Sequence, residues 1–114
     1  MQLNQVHSAP QPFDKTRGAE ARALFEGALK TFLALIEGVA GNSAYLNASI
    51  LREHEWLKSN LNHEVADSFE ALLHFDISSF QALSDSLRIA KRRGSLLIAL
   101  ADIGGIWTLE DVTT

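Results

Sequence analysis

The chain has 114 residues, 46% of them hydrophobic and 21% charged, with a formal net charge of −4. This is the balance of one globular domain or a piece of one, and its acidity argues against a general nucleic-acid binder, which needs a basic field. The absence of cysteine excludes disulfides, zinc–thiolate sites and thiol catalysis.

Residues 1–13 carry both prolines, Pro10 and Pro12, and no helical period, so they are expected to form an irregular, extended leader. They lack the basic and apolar regions of a secretory signal. Asp14 is a candidate N-cap, after which Ala21, Phe25, Leu29, Phe32 and Ile36 recur every three or four residues, predicting one helix with one apolar stripe. It is expected to stop near residues 37–42, EGVAGN, where Gly38 and Gly41 supply left-handed or strained conformations at little steric cost. Asn42 or Ser43 can cap a second helix with Tyr45, Leu46, Ile50 and Leu51, continued by a segment that turns Trp56 and Leu57 inward. The pattern leaves open whether these two pieces join or break near Glu53.

Val65, Phe69, Leu72 and Leu73 predict a further short helix, and the sequence DISS at residues 76–79 reads as a turn and cap. From Ser79 a long helix is predicted, with Phe80, Leu83, Leu87, Ala90, Gly94, Leu97 and Ala101 on one stripe. Asp85, Arg88, Arg92 and Ser95 fall on the opposite face. Beyond Ser95 almost every side becomes apolar, leaving Ser95, Ala99 and Asp102 as a narrow polar sector. This half is expected to need neighbours beyond the chain itself. After Gly104 and Gly105, Thr108 and Asp111 resemble a capping box for another helix, and Trp107 is placed at an end. No segment alternates at period two. The expectation is an all-α domain over residues 14–114, with about four or five packed helices, following the leader of residues 1–13. The apolar run at residues 95–107 is interrupted by Asp102 and too short to span a bilayer, so no membrane association and a cytoplasmic location are expected.

The four histidines invite a metal reading, with Glu53, His54 and Glu55 in succession and His63 beside Glu64. The HExxH spacing is absent, and consecutive residues point to different sides of a helix. No phosphate loop or nucleophile elbow is present either. No catalytic, cofactor-binding or metal-ligating residue is therefore assigned. The run Lys91, Arg92, Arg93 could form an anion or RNA patch, but without interleaved aromatic residues it reads better as a solvated helix face with one arginine paired internally. Arg93 is that arginine. It lies among Ile89, Leu96, Leu97 and Leu100, so its stem should pack while its guanidinium reaches a carboxylate on a neighbouring helix.

Two stretches carry a family resemblance. LRIAKRRGSLLIALADIGGIWTLEDVTT, from Leu87, resembles the helical segment upstream of the first nucleotidyltransferase domain in bacterial glutamine synthetase adenylyltransferases, the bifunctional adenylyltransferase/adenylyl-removing enzymes of nitrogen regulation. GVAGNSAYLNASILRE, from Gly38, is similar to the G-N-S-x-Y-L stretch and the leucine-arginine-acidic helix end of the same family. Together they cover most of residues 38–114, with His54 standing where the family often has a proline. The resemblance implies the amino-terminal helical scaffold of an enzyme that transfers an adenylyl group from ATP to a tyrosine of glutamine synthetase and removes it by phosphorolysis. ATP and magnesium are implied for the full-length family, held by carboxylates of a glycine-serine and spaced-aspartate motif that this chain lacks. The implied partners are the downstream nucleotidyltransferase domain, glutamine synthetase and the PII signalling protein, and self-association of the isolated chain is expected. Gly41, Asn42, Ser43, Tyr45, Arg88, Lys91, Arg92, Asp102 and Gly105 match the family and read as capping and packing positions. The alternative is a freestanding helical protein-interaction module.

Overall fold

A computed structural model describes residues 2–105, and the expectations for Ile106, Trp107, Thr108, Leu109, Asp111 and Val112 lie outside them. Asp14 accepts from the Arg17 amide at 2.9 Å and opens helix α1, Lys15–Ala23. A turn then leads into α2, Lys30–Asn42. The single helix predicted across these residues is thus two. Gly27, at φ +97°, takes a backbone conformation a side chain would strain, and the chain reverses there. The stripe survives the break except at one position. Ala21, Phe25, Phe32 and Ile36 are buried, with Phe25 and Phe32 in edge-to-face contact at 5.4 Å, whereas Leu29, in the turn, is 57% exposed.

α2 ends at Asn42, inside the stretch where a stop is expected, although the helix runs through Gly38 and Gly41 themselves. They serve close approach instead. A Cβ on Gly38 would sit 2.1 Å from the Pro10 carbonyl oxygen, and one on Gly41 would sit 2.4 Å from Pro12 Cβ. The leader lies across this bare face, held by the Asp14 amide on the Gly41 carbonyl at 2.8 Å and the Asn42 side chain on the Gln11 carbonyl at 2.5 Å.

Ser43 caps α3, Ala44–Asn60, by accepting from the Leu46 amide. The helix neither breaks nor runs straight: Glu53, at φ −108° and ψ 15°, leaves helical geometry and kinks it. Leu57 is fully buried and Trp56 packs only partly against the core. The short α4 spans Val65–Ala71. Asp76 then accepts from the Ser78 amide at 2.9 Å, and Ser79 accepts from the Ala82 amide to cap α5, Phe80–Ile103.

The core is formed by Phe25, Phe32, Leu35, Ile36, Ile50, Leu57, Leu96, Leu97 and Leu100, drawn from the first turn and from α2, α3 and the second half of α5. The leader completes it. A short 3-10 turn, Leu3–Gln5, buries Leu3 and Val6, and the amides of His7 and Ser8 both donate to the Gly104 carbonyl. The apolar half of α5 therefore finds its cover inside the chain, from α2, α3 and α4 and, at its end, from the leader, whose Val6 lies against Gly104. Ser95 and Asp102 stay exposed, as the helical wheel requires. Exposed apolar residues gather instead at the opposite end, where Leu73, Ile77, Phe80 and Leu87 are between 47% and 86% exposed. The fold is all-α. Among the described residues there is no strand, and no helix is long and apolar enough to cross a membrane.

Candidate functional site: a buried glutamate shared by two arginines

The kink in α3 positions the most unusual side chain of the protein. Glu53 is 3% exposed, a rare state for a carboxylate, which must be paired when removed from water. Arg93 donates from Nε to Glu53 Oε2 at 2.6 Å, and Arg92 donates from Nε to Oε1 at 2.8 Å. Each carboxylate oxygen thus has its own charged donor. The arginines follow one another on α5, and the carboxylate at the kink of α3 takes one hydrogen bond from each. Burial pushes the Glu53 carboxyl upward, but hydrogen bonds from Arg93 and Arg92, together with their positive charge, outweigh it and hold the group below the usual glutamate range.

Arg93 has a second contact, its guanidinium lying 5.3 Å from the centroid of the Trp56 ring, one helical turn beyond Glu53. Arg93 thus reaches a carboxylate on a neighbouring helix, as expected. Arg92 departs from it, because the wheel puts it on the solvent face. The carboxylate that captures Arg92 is brought within reach by the non-helical turn at Glu53, which a regular wheel does not contain.

The other residues expected to cap and pack divide into two groups. Gly41, Asn42 and Ser43 act in close packing and capping, with Asn42 also donating to the Gly38 carbonyl at 2.8 Å. Gly105 has φ +80°, and a Cβ there would meet the His7 ring at 2.6 Å. Tyr45, Arg88, Lys91 and Asp102 are exposed and do not pack, Arg88 pairing only with Asp85 on its own helix.

His54 contacts the Leu51 carbonyl through Nδ1, and His63 contacts Asn60. Among the described residues no three histidine, aspartate or glutamate side chains gather as metal ligands. A concavity of about 470 Å³ beside the first turn is walled by Asn4, Phe25, Leu29 and Leu61, with Glu26 and Lys58 as its charged groups. The chain matches no protein-family model, and no curated protein or solved structure is significantly similar to it.

Proposed function

We propose that the chain is the amino-terminal helical scaffold of an enzyme that adenylylates and deadenylylates glutamine synthetase in the cytoplasm. One observation supports this reading above the rest. The two stretches that resemble the family are far apart in sequence, yet they meet at one point: Glu53 closes the first, and Arg92 and Arg93 belong to the second. A contact between them gives both stretches a common physical reason to exist. The scaffold's role is to present α5 in a fixed direction to a nucleotidyltransferase domain that binds ATP and magnesium. Glutamine synthetase and the PII signalling protein are partners of the whole enzyme in this account.

The native open reading frame tests the proposal. A glycine-serine and spaced-aspartate motif in frame beyond Thr114 supports it, whereas a stop codon directly after Thr114 overturns it. A freestanding interaction module is the second reading, favoured by the exposed Leu73, Ile77 and Phe80 at the tip between α4 and α5. Self-association of the isolated chain would then run through that tip.

A further inference from the structure

The residues around Glu53 hold more positive charge than one carboxylate neutralises. Glu53 is shared between Arg92 and Arg93, which leaves one charge of that cluster unbalanced. Arg52, the preceding residue on α3, makes no hydrogen bond or ion pair among the described residues. It lines a pocket of about 180 Å³ between α3 and α5 together with Tyr45, Ala48, Ser49 and Arg92.

The spacing explains the pocket. Tyr45, Ser49 and Arg52 follow at intervals of four and three, so they lie on one face of α3. Arg92 reaches the same place from α5, with Nε committed to Glu53 and its remaining guanidinium hydrogens not engaged by any described residue. The hydroxyls of Tyr45 and Ser49 are likewise without a hydrogen-bond partner there. The lining holds no carboxylate. Two arginines and two hydroxyl-bearing residues, each with a donor not engaged by any described residue, line one small space within a chain whose net charge is negative.

We propose that this pocket binds a phosphate-type oxyanion, held by Arg52 and Arg92 and oriented by Ser49 and Tyr45. Guanidinium forks match the oxygen spacing of such groups, and hydroxyls supply the remaining hydrogen bonds. Glu53 acts as a positioning residue, because its grip on Nε fixes the plane of the Arg92 guanidinium. The ligand is either inorganic phosphate or the phosphate end of a nucleotide. The pocket opens to solvent, so binding weakens as salt rises.

The test is an NMR titration of the chain with inorganic phosphate at constant ionic strength, with chloride as the exchanged ion. Saturable shifts are expected at the Ser49 amide and at the Arg52 and Arg92 Nε–H signals. Arg52→Gln is expected to weaken binding at least about fivefold, without altering the fold, because Arg52 has no internal partner. Arg22→Gln, on a different surface, leaves the affinity unchanged. A parallel titration with adenosine monophosphate distinguishes the sources: tighter binding than phosphate assigns the site to a nucleotide, equal or weaker binding to the free ion. Non-saturating shifts spread over all the basic residues would overturn the proposal, as would an affinity that Arg52→Gln does not change.

Discussion

Arg93 and Glu53 stand 40 residues apart and are joined by a 2.6 Å hydrogen bond between α5 and the kink of α3. The bond places a full positive charge against a carboxylate that is almost entirely out of water, with the Trp56 ring covering the same guanidinium. Removing Glu53 leaves both arginines without their counter-charge, whereas removing Arg93 leaves the buried carboxylate with Arg92 alone, and either loss weakens the joint between α3 and α5.

Glu53→Gln keeps the shape of the side chain and removes its charge. The variant is expected to lose about 1–3 kcal/mol in urea unfolding, below the usual loss for a fully buried pair, because water can reach the partly exposed arginines. Arg93→Ala should cost more than Arg92→Ala, since only Arg93 also covers Trp56, and the indole N–H signal of Trp56 should move in the first variant.

The same carboxylate sets a pH dependence. Its value is depressed in the folded protein, so its contribution is complete above the ordinary glutamate value near 4.3 and is lost as pH falls through the lower folded value. The stability difference between the wild type and Glu53→Gln is expected to be constant from about pH 5 to 8 and to shrink below that range. A difference that widens on acidification would contradict the pairing.

Three glycines separate three physical situations. Gly38→Ala drives a methyl into the Pro10 carbonyl and is expected to cost about 2 kcal/mol or more, with release of the leader from α2. Gly27→Ala meets no neighbour and should cost about 1 kcal/mol through its positive φ alone. Gly94→Ala, in the middle of α5, meets Phe69 at an ordinary 3.5 Å and should stabilise the protein by up to about 1 kcal/mol. Thermal and urea unfolding of the three variants checks the order.

The exposed tip offers the opposite contrast. Phe80→Ser is expected to change stability by less than about 0.5 kcal/mol, whereas Leu97→Ala should cost about 2–5 kcal/mol. Both residues lie on the same sequence stripe, but Phe80 is 86% exposed and Leu97 is fully buried.

That contrast shows how far the sequence could be read. The start of α5, the cap at Ser79 and a carboxylate partner for Arg93 follow from local chemistry and helical spacing, and all are present. The break between α1 and α2 escaped because the three-four period of Phe25, Leu29 and Phe32 continues across the turn; Gly27 was its local signal. The burial of Leu3 and Val6 escaped because a short aperiodic segment carries no pattern, and only the bare surface of α2 and the Gly104 carbonyl give it a seat. The pocket of Tyr45, Ser49, Arg52 and Arg92 depends on where two helices cross, which no single helical wheel contains.

The proposed role as scaffold of an adenylyl-transferring and adenylyl-removing enzyme concerns the whole gene product. The most direct test is to express the native gene product in full and assay it with adenylylated glutamine synthetase, phosphate and magnesium, beside the chain of residues 1–114. Phosphorolytic release of the adenylyl group as ADP is expected from the native product, and no turnover from residues 1–114. A native product that ends at Thr114, or a full-length product that leaves adenylylated glutamine synthetase unchanged in either direction, would contradict it.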